Sequence, residues 1–419
     1  MKWVELQESQ KHDLDRKIGL ARAVIQEALE VASRPALAFS GGKDSTVLWD
    51  LIRRFFPDQA ARLVIIYGNT GVEYPECVTF ARRMAKEWGG EFYEARPAKT
   101  SRPGFKYAGQ RRIWEYLIER GQIGDVLKPD GKLKSTEALE RACPVYLAAE
   151  LERERLVWPE GTVMGYFWCT DQYGYPLLGK AWSRLDAHRI NIDTFLRFSQ
   201  SESSDPALLA YYQVLRTVRI SQHCCYQLKK EPAQRLQAEL GVDLVFKGLL
   251  AEESRSRAIN FLTRGWLFEG EKKDYLKGAP FHHCQPLATW TEADIWNYIR
   301  RYEVSYATLY SKTYVALDGS RQRVRRNGCL GCGCDFGFAN NHLSILRQTH
   351  RRAWQVVMRA GMAEQIRNLQ RAMRSGQMTL FDGFETEELI AAQPCVFDDL
   401  DGRGGLERPG DLVYDPEVE

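Results

Sequence analysis

Ser40-Gly41-Gly42-Lys43-Asp44-Ser45-Thr46 decides the reading of this chain. It follows the apolar run Ala36-Leu37-Ala38-Phe39 and leads into the amphipathic Val47-Leu48-Trp49-Asp50-Leu51-Ile52. A short apolar strand entering a Gly-rich turn and then a helix leaves free backbone N–H groups at the helix N-terminus, where the dipole favours phosphate. Gly41 and Gly42 permit a close approach that a β-carbon would hinder, while Lys43, Ser45 and Thr46 add a charge and hydroxyl donors. A lone Gly-Gly pair would read as an ordinary polar turn. Seven consecutive residues of this type point instead to a polyphosphate site. The pattern is not the nucleotide loop G-x-x-x-x-G-K-[ST], because here an aspartate, not a hydroxyl residue, follows the lysine.

Outward from the loop, residues 6 to 33 predict a helix, with Leu14, Ile18, Ala21, Val24, Ile25, Ala28 and Leu29 at three- and four-residue spacing. The strand at 36–39, a helix at about 44–56 and a strand at Arg62–Tyr67 make one βαβ unit. Gly68-Asn69-Thr70-Gly71 then punctuates, and Pro75 to Trp88 is helical again. Alternation of this kind predicts an α/β fold with a parallel sheet, helices on both faces, and ligands at the carboxyl ends of the strands. The turn at 68–71 should therefore lie close to the first loop. Leu244-Val245-Phe246-Lys247-Gly248 reads as another buried strand, opening into Glu252-Glu253-Ser254-Arg255-Ser256-Arg257. The organisation expected is an N-terminal helix (1–35), a nucleotide-binding core in two parts (36–121 and 219–300), an aromatic-rich insertion (122–218), a Cys-rich helical region (301–374) and an acidic, loosely packed tail (375–419).

No run approaches the roughly 18 to 20 apolar residues that span a bilayer. The start, Met1-Lys2-Trp3-Val4-Glu5, has no apolar signal core, so a cytoplasmic protein without a membrane partner is expected. A net charge of +3 excludes little. Ten cysteines without a secretion signal argue for metal or redox chemistry rather than a disulfide framework. Cys224-Cys225 are adjacent, and Cys329-Leu330-Gly331-Cys332 is followed by Cys334. Cys77, Cys143, Cys169, Cys284 and Cys395 are dispersed and read as small core or surface residues.

The opening loop resembles the S-G-G-x-D-S pyrophosphatase loop (PP-loop) of enzymes that split ATP between the α and β phosphates. Further segments extend the resemblance: Asn69-Thr70-Gly71-x-Glu73-x-Pro75-Glu76, Cys224-Cys225-x-x-Leu228-Lys229, Gly248-x-x-x-Glu252-Glu253-Ser254-x-x-Arg257, Pro286-Leu287-x-x-Trp290-Thr291-x-x-Asp294, and Gly328-Cys329-x-x-Cys332. In this order they are similar to the adenylyl-sulfate and phosphoadenylyl-sulfate reductase superfamily, over about 36–97 and 219–360. The resemblance implies an adenine nucleotide alpha hydrolase-like fold. It implies nucleotide contacts at Ser40, Gly41, Gly42, Lys43, Asp44, Ser45, Thr46, Asn69, Thr70, Gly71, Glu73, Gly248, Glu253, Ser254 and Arg257, with catalytic roles for Lys43, Asp44 and Arg257. Leu249 or Leu250 stands where the family usually places an arginine.

The resemblance also implies a [4Fe–4S] cluster on Cys224, Cys225, Cys329 and Cys332, a C-terminal iron–sulfur region in keeping with the softness of thiolates. A structural zinc is the rival, although adjacent cysteines suit tetrahedral zinc poorly. Cys334 could replace one ligand. Reductases of this type attack sulfur with a cysteine in an E-C-G-L-H segment, which this sequence lacks; Cys395 sits in Gln393-Pro394-Cys395-Val396-Phe397. The expectation is a kept fold and a changed reaction, similar to the ATP-pyrophosphatase subunit of DNA sulfur-modification systems. ATP with Mg²⁺ would adenylylate an acceptor and release pyrophosphate, and sulfur would follow from a cysteine desulfurase or other donor. Arg321-Gln322-Arg323-Val324-Arg325-Arg326 suits a polyanion backbone, so Arg321, Arg323, Arg325 and Arg326 are candidate DNA or RNA contacts. A sulfonucleotide reductase with a displaced nucleophile, and a silent nucleotide- and cluster-binding protein, are the alternatives.

Overall fold

The apolar strand before the loop, β1 (Pro35–Phe39), is the middle of a six-stranded sheet. In the computed structural model, residues 2–129, 133–177, 219–270, 281–316, 318–335 and 340–374 are described. The acidic tail from 375, Cys395 and the insertion after 177 up to 218 lie outside the described residues. The chain divides into two units, the first comprising Met1–Arg96, Lys229–Thr313 and Arg323–Gly328, the second Pro97–Leu228, Tyr314–Gln322 and the residues from Cys329 onward.

In the first unit, helices α1 (Trp3–Lys11) and α2 (Leu14–Val31) precede β1. The single helix expected over 6–33 is thus interrupted at His12-Asp13. Asp13 caps α2, its carboxylate accepting from the Arg16 N–H at 2.8 Å, and this local bond competes with continuing the preceding helix. After β1 come α3 (Lys43–Phe55), β2 (Val64–Gly68), α4 (Pro75–Trp88) and β3 (Phe92–Ala95). The chain returns to this unit with α5 (Glu231–Glu239), β4 (Leu244–Lys247), α6 (Arg255–Arg264), β5 (Leu267–Glu269), β6 (His282–Cys284) and α7 (Glu292–Tyr302). The sheet order is β3-β2-β1-β4-β6-β5, with every pair parallel except β5 against β6. Ala36 pairs with Val64, and Leu37 pairs with both Ile65 and Phe246.

Period-two alternation gives each face its helix. Ala36, Val64, Ile66 and Val245 face one way, packed with Ala233 and Leu236 of α5. Phe39 faces the other way, its ring edge-on to Trp49 of α3 at 5.1 Å. The α/β class read from the sequence is therefore the one observed. α7 is tied down at its first turn and at its middle: Lys17 of α2 reaches Asp294 at 2.5 Å, and Tyr298 donates to Asp50 of α3 at 2.9 Å. Among the described residues no helix is long and apolar enough to cross a membrane.

In the second unit, helices Tyr107–Glu119, Thr136–Arg141 and Val145–Arg153 enclose Ile113, Trp114, Leu117, Leu139, Leu147 and Leu151. Gly104–Phe105 and Val157–Trp158 pair antiparallel. The helix Tyr166–Tyr173 starts behind Gly165. The helices His342–Thr349, Arg351–Val357 and Ala363–Arg374 complete the described part.

Lys17 is 1% exposed and Asp294 also caps α7 through Thr291. Removing one partner of a buried pair strands the other charge, so Lys17→Ala should cost about 3 kcal/mol. Urea unfolding followed by circular dichroism reads this as a lower midpoint at unchanged slope. A loss within experimental error would show that the pair is not held away from water.

Candidate functional site

β1 delivers Ser40 at its carboxyl end and α3 begins at Lys43, so Gly41-Gly42 is the whole turn between them. Gly41 has φ +66°, and a β-carbon there would stand 2.9 Å from the Cys77 carbonyl oxygen. Both facts demand glycine. The loop's hydroxyls hold its own shape. Ser45 Oγ donates to the Gly42 carbonyl at 3.0 Å and Thr46 Oγ1 to the same oxygen at 2.9 Å, while the Ser40 and Ser45 hydroxyls meet at 3.1 Å. The Gly42 N–H donates to Ser40 Oγ at 3.2 Å and the Lys43 N–H to the Tyr310 hydroxyl at 3.2 Å.

Lys43 is 5% exposed at its side chain. Its Nζ donates to the Arg325 carbonyl at 3.0 Å and to Asp44 Oδ2 at 3.3 Å, and lies 3.8 Å from Glu292 Oε1. Burial pushes the Asp44 carboxyl up, against the opposing pull of Lys43. Its other oxygen, Oδ1, is buried with no hydrogen-bond partner among the described residues. A buried carboxylate oxygen without a donor is costly, and a cation brought in by a ligand would satisfy it. Gly248, at the end of β4, touches the same backbone: a β-carbon there would lie 2.9 Å from the Asp44 carbonyl and from the Ser45 nitrogen.

The segment after Gly248 folds back to this point. Ser254 Oγ caps α6, accepting from the Arg257 N–H at 3.2 Å. Arg257 pairs with Glu253, and Arg326 and Asp44 are its charged neighbours. Arg326 donates to the Glu253 carbonyl at 2.8 Å. The structure thus brings Lys43, Asp44, Gly248, Glu253, Ser254 and Arg257 together, with Arg325 and Arg326 beside them. Arg321 and Arg323 lie instead on a short strand, Arg321–Arg323, with their side chains exposed.

Just past the end of β2, the Gly71 N–H donates to Asn69 Oδ1 at 3.0 Å and Thr70 Oγ1 donates to Glu73 at 2.9 Å. Burial pushes the Glu73 carboxyl up, opposed by Lys229 and Thr70. Asn69 Nδ2 donates to Glu94 at 2.8 Å. Three further residues complete the loop's surroundings: Tyr310, Glu292 and Asn327, whose Nδ2 donates to the Ser40 carbonyl at 2.8 Å. None belongs to a phosphate-loop pattern, and only the folded chain places them there.

In the second unit the cysteines converge. The Cys334 thiol hydrogen-bonds with those of Cys225 and Cys332, and these neighbours, then burial, push it up. Cys224 is likewise pushed up, first by its bond with Cys225, and Cys329 is a further neighbour. Cys332 is lowered to about 7, chiefly by its bond with Cys334. Cys334 is thus in contact with Cys225 and Cys332, Cys224 with Cys225, and Cys329 is a charged neighbour of Cys224. Cys169, read from the sequence as a dispersed core or surface residue, is fully buried beside them; burial, then Cys225 and Cys329, push it up to about 12. Among the described residues no three His, Cys, Asp or Glu side chains are arranged to hold a metal ion. By chemistry alone, soft thiols fit an iron–sulfur cluster better than a hard cation.

With this geometry in hand, the comparisons with known proteins define the class. The sequence model of the phosphoadenosine phosphosulfate reductase domain matches residues 34–141 and 183–324, more than half of the chain, and the chain belongs to that family. An adenosine 5'-phosphosulfate reductase of Burkholderia cepacia is 31% identical over 114 residues, 27% of this chain and 40% of that protein, so the match spans less than half of the relative. Among solved structures, a phosphoadenylyl-sulfate reductase of Candida auris, in a phosphate complex, overlays with TM-score 0.31 at 15% identity, covering 71% of this chain and 89% of its own. The U34-tRNA thiolase NcsA of Methanococcus maripaludis, solved with its [4Fe–4S] cluster, overlays with TM-score 0.29 at 13% identity, covering 89% and 82%.

Glu94, which orients Asn69, supplies a pH signature. Burial would raise its carboxyl, but hydrogen bonds from Arg82, Asn69 and Arg96 outweigh it and hold the group at about 2 instead of 4.5. A depressed folded value stabilises fully above the unfolded value and loses that contribution as pH falls through the folded one. The stability advantage of the wild type over Glu94→Gln should be constant above pH about 5 and shrink towards zero near pH 2. Thermal melts of both proteins across this range test it; a pH-independent difference would mean the carboxylate is not ionised in these contacts.

Proposed function

We propose that this protein binds ATP with Mg²⁺ at the 40–46 loop and releases pyrophosphate, transferring the adenylyl group to an acceptor that is then sulfurated. The observation that carries the reading is the buried Lys43–Asp44 pair, in which one Asp44 oxygen has no donor among the described residues. Expelling pyrophosphate requires neutralising a polyanionic leaving group, and Mg²⁺ held near Asp44 together with the Lys43 ammonium meets that need. Attack on a sulfonucleotide sulfur expels a nucleotide without pyrophosphate and gives such a cation site less to do. In the proposed step an acceptor oxygen bonds to the α phosphorus, the Pα–O bond to the β phosphate breaks, and its electron pair leaves on pyrophosphate. A sulfur nucleophile then displaces the resulting adenylate. Arg257, beside Asp44, would contact the phosphates.

The thiol group is proposed to hold a [4Fe–4S] cluster through Cys224, Cys225, Cys329 and Cys332, with Cys334 as the thiol able to replace one of them. Such a cluster supplies redox-active iron and inorganic sulfide. The acceptor is proposed to be DNA or RNA, on the exposed Arg321, Arg323, Arg325 and Arg326. The sulfur would come from a cysteine desulfurase or an equivalent donor. A second reading, a sulfonucleotide reductase, is favoured by the name of the Burkholderia relative.

Anaerobically purified protein given ATP and Mg²⁺, with and without DNA or RNA, should release pyrophosphate, faster with the nucleic acid. Lys43→Ala with Asp44→Ala should lower that rate by about 100-fold or more while leaving bound iron unchanged. Sulfite from adenylyl sulfate and a thiol, without pyrophosphate from ATP, would replace this reading by the second one.

A further inference from the structure

The family match is interrupted between residues 141 and 183, and the cysteines at 329, 332 and 334 lie past its end at 324. The described part of that interruption makes contact with both cysteine stretches of its unit. Tyr166, 3% exposed, donates its hydroxyl to the Gly331 carbonyl at 2.8 Å. A β-carbon on Gly331 would stand 2.3 Å from Tyr166 Cζ, so the Cys329–Cys332 turn lies against the phenol ring. One turn further, the Gly333 N–H donates to the Pro176 carbonyl at 2.8 Å, and a β-carbon there would meet Leu177 Cδ2 at 2.8 Å.

Contacts on the other side reach the chain around Cys224-Cys225. The Ser221 N–H donates to the Tyr175 carbonyl at 2.8 Å, and the Tyr175 N–H to the Arg219 carbonyl at 2.9 Å. The Tyr173 ring meets His223 edge-on at 4.3 Å, and Gln227 Nε2 lies 3.8 Å from the Met164 sulfur. Cys169 sits within the same segment, buried beside Cys225 and Cys329. Two cysteine pairs a hundred residues apart have no local reason to meet. Each is docked, by close-packed glycine or by backbone hydrogen bonds, on this one intervening segment.

We propose that Met164–Leu177 is a clasp that sets the two cysteine stretches at the spacing a shared iron–sulfur ligand needs, with Tyr166 as the positioning residue for the Cys329–Cys332 turn. The proposal rests on the cluster reading above for its purpose, but the clasp itself is a statement about the thiols. Tyr166 touches the turn's backbone and acts through it.

The test uses the full chain in two forms. In iron-free, reduced protein, the short dithiol reagent dibromobimane is allowed to bridge cysteines, and peptide mapping counts bridges between the 224–225 pair and 329, 332 or 334. In parallel, iron and acid-labile sulfide per chain are measured after anaerobic reconstitution. Gly331→Ala pushes a methyl into the ring and should reduce both several-fold; adding Tyr166→Ala should restore them by making room. Tyr166→Phe keeps the ring and removes the hydroxyl, and should lower bridging by about twofold. If Gly331→Ala does not fold, as judged by circular dichroism, the Tyr166→Phe result decides. Wild-type bridging without iron uptake would sink the cluster reading and leave the clasp standing. Unchanged bridging in Gly331→Ala and Tyr166→Phe, with iron bound normally, would overturn the clasp alone.

Discussion

An ammonium group taken out of water must be given oxygen from somewhere, and the first unit is arranged around that requirement at Lys43. The desolvation of such a group costs several kcal/mol unless its donors are met. Here the oxygens come from Asp44 on the same helix, Glu292 at the start of α7 and the Arg325 carbonyl, with the Tyr310 ring below at 5.6 Å. These positions are separated by up to 282 residues in the chain. The Tyr298–Asp50 and Lys17–Asp294 contacts then hold α7 where Glu292 can reach the lysine. A loop that looks local is in this sense a tertiary object.

The same loop is left incomplete in one respect. The Ser45 and Thr46 hydroxyls are used internally on the Gly42 carbonyl, and the lysine is held, yet one oxygen of Asp44 is buried without a donor among the described residues. Rigid backbone with a single unmet electrostatic demand is the arrangement expected of a site prepared for a charged ligand rather than of a turn that merely connects a strand to a helix.

The second unit solves a different problem, that of gathering thiols. Cys225, Cys332 and Cys334 hydrogen-bond among themselves, and their neighbours Cys224, Cys329 and Cys169 lie within electrostatic reach. Thiols prefer such company only when the backbone brings them there, and the glycines at 331 and 333 allow it because each accepts a neighbouring side chain where a β-carbon would stand.

The parallel sheet and the Gly41-Gly42 turn between β1 and α3 were legible in the sequence because each rests on local pattern. Apolar alternation names strands and glycine spacing names a turn. Asp13 shows the limit even locally, since a single capping carboxylate split what periodicity alone reads as one helix. What only the tertiary structure decided is the company these residues keep: Glu292, Tyr310 and Asn327 around the loop, Arg325 and Arg326 turned towards it, Tyr166 under the Cys329–Cys332 turn, and Cys169 among the thiols. Glu292, Asn327 and Tyr166 carry no pattern of their own, and the run that holds Arg325 and Arg326 does not say which way they turn. Their roles come from contacts between segments far apart in the chain, which no window of sequence contains.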